Sequence, residues 1–139
     1  MRSMKQLVRL HRWKLNERRQ KLVELEGLGL KMRTEIDRLD ETMDAESKIA
    51  DQSRDAAVAY PAYVSAMLER RKKLSGSIVE IEESIAEARE EVAAGFQELK
   101  RYELALQTKE RREDLRARRR EQAETDAQGA VIHRRQAMV

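Results

Sequence analysis

The chain has no cysteine, only one proline, and aromatic residues at only 4% of its 139 positions. Without cysteine, neither a disulfide framework nor a thiolate metal site is possible, a composition that fits a reducing compartment. So few aromatics argue against a compact globular domain, which needs aromatic and branched bulk to close a core. No apolar run approaches the length of a membrane span, and Met1-Arg2-Ser3-Met4-Lys5 lacks the apolar stretch of a secretory signal. A cytoplasmic chain is therefore expected. Signals of catalysis are scarce as well. His11 and His133 are the only histidines, without clustered partners at ligand spacing. Gly27-Leu28-Gly29 lacks the lysine and the preceding strand of a phosphate loop. The many carboxylates read as a solvated helix face, where nothing shifts their ionisation toward acid–base work. No enzyme activity, cofactor or metal is expected.

What the chain does have is charge. Asp, Glu, Lys and Arg supply 40% of it and hydrophobic residues another 40%. The second figure is too rich for disorder. Together they describe long charged helices, because a coiled-coil seam needs only two apolar positions per heptad. The length suits a single domain. Net charge is only +3, but it falls in blocks. Residues 1–21 balance to +7 and residues 99–120 to +5, while residues 80–98 balance to −6.

The apolar residues keep a heptad. One seam position falls on Val8, Leu15, Leu22, Gly29, Ile36, Met43, Ala50 and Ala57, and its companion on His11, Arg18, Leu25, Met32, Leu39, Glu46 and Ser53. The pattern decays after Met43 and resumes beyond Pro61 as Val64, Met67, Leu74, Ile78, Ile81, Ile85, Ala88, Val92, Leu99, Tyr102 and Leu106. Past Leu106 the seam turns polar at Lys109, Glu113 and Arg116, so the last thirty or so residues read as helix without a partner strand.

Leu22 and Ile78 lie a whole number of heptads apart, so periodicity alone fits a hairpin or one long helix in a parallel dimer. Three features favour an all-α antiparallel coiled-coil hairpin: the weak seam over 46–59, the proline at 61, and the restriction that it places on Tyr60. Pro61 suits the first turn of a new helix. Helix one is then expected over about 4–56, a turn at about 57–61, helix two over about 62–128, and a frayed tail at 129–139. This folding sets Leu15 opposite roughly residue 102 and Leu39 opposite roughly residue 78. It also brings both basic blocks to one open end. Such an end could dock on an acidic protein surface or on nucleic acid; protein is favoured, since no nucleic-acid reader motif is present. Trp13, Leu7, Leu10, Leu28, Leu30 and Tyr63 lie off the seam, where they either widen the apolar stripe or face a partner.

Three segments carry a resemblance to a known family: Tyr60-Pro61-Ala62-Tyr63, the seam from Leu74 to Ile85, and Gly95-Phe96-Gln97-Glu98-Leu99-Lys100-Arg101-Tyr102-Glu103. A tail through Glu124-Thr125-Asp126-Ala127 to His133-Arg134-Arg135 adds to them, although the family usually has an Asp-Glu pair where Asp126 is followed by Ala127. Together they resemble the FliJ family of flagellar type III export proteins. The resemblance implies a monomeric, non-enzymatic antiparallel coiled coil, similar to the stalk subunit of rotary ATPases. It implies that the open end enters the export ATPase hexamer and promotes ring assembly and activity. It also implies contacts with the cytoplasmic domain of the export gate and with export chaperones, in support of flagellum assembly and motility, on the cytoplasmic side of the inner membrane. On this reading Arg9, Arg12, Trp13, Arg18, Arg19, Arg111, Arg112, Arg118, Arg119 and Arg120 face the ATPase ring, and Tyr63 and Met67 face the export gate. The alternatives are a parallel dimeric scaffold, the stalk of a virulence-type secretion ATPase, and a nucleic-acid-binding helical protein.

Overall fold

The computed structural model describes residues 3–138 and is all-helical: α1 spans Met4–Gln52 and α2 spans Arg54–Ala137, and the two helices pack against each other. Arg2 of the basic N-terminal block and Val139 of the tail lie outside the described residues. The packing divides into two compact units that cut through both helices, one of residues 14–95 and the other of residues 1–13 with 96–139.

Local chemistry sets the helix ends. Ser3 Oγ accepts a hydrogen bond from Gln6 N at 3.2 Å, and Gln6 Oε1 accepts one from Ser3 N at 3.0 Å. This reciprocal capping box satisfies donors that the first turn of α1 would otherwise leave open. Only Ser53 separates the two helices. Its N–H donates to Ile49 O at 3.2 Å, its C=O accepts from Ala57 N at 3.0 Å, and its hydroxyl accepts from Ala56 N at 3.4 Å. One residue thus closes α1 and caps α2, with Asp55 in the new first turn, where the helix dipole favours an acid.

The break therefore falls at Ser53 and not at 57–61, and Pro61 lies inside α2 rather than at its start. The physical reason is that a serine hydroxyl supplies the cap, while the alanine-rich stretch after it has high helix propensity. Pro61 removes the donor for the Ala57 carbonyl, but Ala57 is exposed, so water can take that place. At the other end, α2 continues helical through Ala137 where fraying was expected from 129, with Arg134 and Arg135 in its last turn, favourable to the dipole.

In the unit of residues 14–95 the core is Leu15, Leu39, Ile81, Ile85 and Ala88. Leu22, Leu25, Met32, Ile36, Met43, Val64, Met67, Leu74, Ile78 and Val92 are half-buried around it, so the heptad names the packed face correctly. Ion pairs join the two helices within this unit. Arg71 meets Asp40, Arg33 meets Glu82, Arg89 meets Glu26, and Lys21 meets Glu91. The register differs from expectation by about one heptad. A Cβ at Gly95 would lie 3.4 Å from Leu15 Cδ1, so Leu15 faces Gly95 and not residue 102. Leu39 is likewise displaced, since its neighbour Asp40 pairs with Arg71 rather than near residue 78. The earlier break moves the point about which the pairs are arranged in the direction of both displacements.

The unit of residues 1–13 with 96–139 is built on Val8 and Leu99, with Tyr102 and Leu106 half-buried. His11 stacks on Tyr102 with ring centroids 4.2 Å apart and planes 16° from parallel. From Gln107 to Met138 every described side chain is exposed.

Candidate partner-binding surfaces

Among the described residues no helix is long and apolar enough to cross a membrane, and no group of three or more potential metal ligands comes together. What the molecule offers is surface, and the basic residues divide over the two units.

In the unit of residues 1–13 with 96–139, Arg9 and Trp13 are exposed, the indole at 61%. Arg12 is committed to Glu103 at 3.5 Å, and His11 Nδ1 lies 3.6 Å from Glu98 Oε2. Part of the first basic block therefore pairs across the helices. Lys100 sits 5.5 Å from the centroid of the Phe96 ring, a cation–π contact on a half-exposed aromatic. Arg111, Arg112, Arg118, Arg119 and Arg120 all stand exposed on the bare stretch of α2. Arg118 reaches Asp114 one turn back at 3.2 Å. Such exposed pairs contribute a few tenths of a kcal/mol at most (about 0.3–0.5).

Arg18 and Arg19 belong to the other unit, together with Tyr63 and Met67. Arg19 is exposed, but Arg18 turns inward and donates through Nη1 to the Glu91 carbonyl at 3.0 Å, over Gly95. Arg18 is thus half-buried and bonded to the other helix, while Arg19 beside it stays exposed. Tyr63 is half-buried, with its ring 6.5 Å from that of Tyr60, and its hydroxyl is enclosed without a hydrogen-bond partner among the described residues. Met67 lines a groove of about 580 Å³ with Leu30, Leu39, Thr34 and Thr42, edged by Lys31, Glu35, Arg38 and Arg70. Off the seam, Leu28 and Leu30 are exposed, whereas Leu7 and Leu10 are half-buried and widen the stripe.

The glutamates of 80–98 are in part structural. Glu82 holds Arg33 at 2.8 Å, and Glu91 lies 3.9 Å from Lys21. The best-formed pair is a fork between Arg71 and Asp40, with Nε–Oδ1 at 2.8 Å and Nη2–Oδ2 at 3.3 Å. The hydrogen bond to Asp40, then its charge, holds the Arg71 guanidinium above its ordinary range, with partial desolvation opposing.

Two features escaped the reading of the sequence. Gly95 is a notch for Arg18, and its only signal was a glycine at a seam position of one helix and an arginine at a seam position of the other. Residues 56–68 carry no charge at all in a chain so rich in it, and Val58 within that run is 79% exposed. No protein-family model matches the chain, and neither a curated protein nor a solved structure matches it.

Proposed function

We propose that the chain is an antiparallel coiled-coil hairpin that serves as a non-enzymatic stalk and escort component of a flagellar type III export apparatus. The observation that carries this reading is the bare cationic stretch of α2. Beyond Leu106, the last half-buried of the described residues, the helix runs on to Ala137 with Arg111, Arg112, Arg118, Arg119 and Arg120 exposed. A helix with no seam to fill, rich in guanidinium groups, is suited to enter a protein ring lined by acidic side chains. The resemblance at Tyr60–Tyr63, Leu74–Ile85 and Gly95–Glu103 supplies the partner class, namely the export ATPase hexamer. The same resemblance assigns Tyr63 and Met67 to the cytoplasmic domain of the export gate, and export chaperones to the escort role. The protein then works at the cytoplasmic side of the inner membrane, as a monomer. Helix pairs contained within one chain, such as Arg71–Asp40 and Arg33–Glu82, support the hairpin over a parallel dimeric scaffold.

The test is reconstitution with the cognate ATPase. Adding the protein is expected to raise both the fraction of ATPase in hexameric rings and the turnover. Replacing Arg118, Arg119 and Arg120 together with glutamate should abolish both effects while helix content stays unchanged. No response of ring formation or turnover, with both proteins folded, would remove the stalk reading.

A further inference from the structure

We infer that Arg18 and Gly95 form a register lock, which commits the two helices of this chain to one pairing among those that its heptads allow. The seam needs such a device. Leu22 and Ile78 stand a whole number of heptads apart, so apolar matching alone tolerates a slip of one heptad, and equally a parallel pair of chains. A leucine at position 18 would pack acceptably in each of these arrangements. An arginine does not.

Arg18 is half-buried in the seam, and its Nη1 donates to the Glu91 carbonyl at 3.0 Å. Within α2 that carbonyl already accepts the helical N–H of Gly95, so the guanidinium takes its second lone pair. Access depends on the missing side chain. A Cβ at Gly95 would lie 2.9 Å from Arg18 Nη1 and 3.4 Å from both Arg18 Cδ and Leu15 Cδ1. Leu15, only 2% exposed, closes the notch on one side. A slip of one heptad would bring Ala88 or Tyr102 to the place of Gly95; the added Cβ would crowd the corresponding carbonyl and cost the half-buried guanidinium its hydrogen bond. A parallel pair of chains would set Arg18 against the same arginine of the second copy, like charge on like. One contact therefore disfavours both kinds of alternative, as a single polar seam residue does when it trades stability for specificity.

The inference rests on the pairing of the helices within one chain and not on the export role. Because the chain lacks cysteine, engineered pairs report the register without background. The G29C/I81C and G29C/I85C pairs bracket the native register, since a Cβ at Gly29 lies 3.7 Å from Ile81 Cγ2 and 3.4 Å from Ile85 Cδ1. The G29C/I78C and G29C/V92C pairs report slips of one heptad either way, and sedimentation velocity reports a second chain.

Each pair is placed in the otherwise unaltered protein, in R18L, and in G95A. In both variants the ratio of native to slipped disulfide is expected to fall about tenfold, as for the loss of one hydrogen bond from a charged donor. In R18L a dimer should appear as well. G95A is the better helix former, so its loss of register cannot be ascribed to unfolding, and circular dichroism checks this directly. Native disulfide at the unaltered ratio in both variants, with both monomeric, overturns the lock. Failure of both G29C/I81C and G29C/I85C to form even with Arg18 and Gly95 in place overturns the intrachain pairing itself, and the lock with it.

Discussion

Within α2, residues 64–95 and residues 107–137 have similar charge content, 12 charged residues in 32 against 15 in 31. Their surroundings differ completely. The first stretch presents Ile81, Ile85 and Ala88 to α1 and buries them. The second buries nothing, and among the described residues its side chains bond along their own helix, as in Asp114–Arg118 at 3.2 Å and Gln122–Asp126 at 3.1 Å. Charge density does not distinguish a packed helix from a bare one; the residues at the seam positions do. Each buried seam side chain contributes about 1.5–3 kcal/mol, whereas an i,i+4 pair contributes about 0.2–0.5 kcal/mol. The paired stretch is held by tertiary packing, and the bare one by propensity and local pairs, which leave an isolated helix marginal.

The widest gap should appear in hydrogen exchange. Amides around Ile81–Val92 should exchange about a thousandfold more slowly than those of Leu115–Ile132, because only the former need a cooperative opening. Equal protection would mean that the bare stretch has found a partner, a second copy included. Next comes truncation of side chains. L15A should lower the unfolding free energy by about 2–5 kcal/mol in urea titration, as loss of a fully packed leucine does. L115A, in the bare stretch, should change it by less than about 0.5 kcal/mol. A large effect of L115A would break the contrast.

Smaller effects sharpen it. S53A removes the hydroxyl that caps α2 and should cost about 1 kcal/mol, read in the same titration. The smallest effect is expected from D40A, which frees Arg71 at the half-exposed edge of the paired stretch. The urea midpoint should drop slightly at low salt and not at all in molar salt, where screening has already removed the pair. Because Asp40 raises the Arg71 pKa, that residue's contribution is complete below its ordinary pKa and is lost only as pH rises through the folded value. The effect of D40A, as far as it works through Arg71, should therefore be the same at neutral and at mildly alkaline pH.

Legibility followed the kind of interaction involved. The packed face was readable residue by residue, because a helix that buries one stripe must repeat its apolar residues at spacings of three and four. From Leu22 to Met43 and from Val64 to Leu106, each residue placed on the seam is buried or half-buried. The bare end was readable for the converse reason, in the polar seam positions Lys109, Glu113 and Arg116. The break was not. A proline is a strong sign of a helix end, yet Pro61 sits where the carbonyl that it orphans is exposed, and the plainer Ser53 makes the stop. Composition could not tell which arginines also bond across the helices, as exposed Arg12 does to Glu103 and half-buried Arg18 does to the Glu91 carbonyl.

That the chain is helical, which stripe of each helix is buried, and where burial stops could be read from residue order, because these follow from the period of the backbone and from the apolar effect acting on one residue type at a time. The register is set by packing between the helices. That choice depends on which side chain meets which across the seam, on Leu15 facing Gly95 and Arg18 reaching the carbonyl of Glu91. A repeat that looks the same every seven residues carries no information about which repeat it will meet.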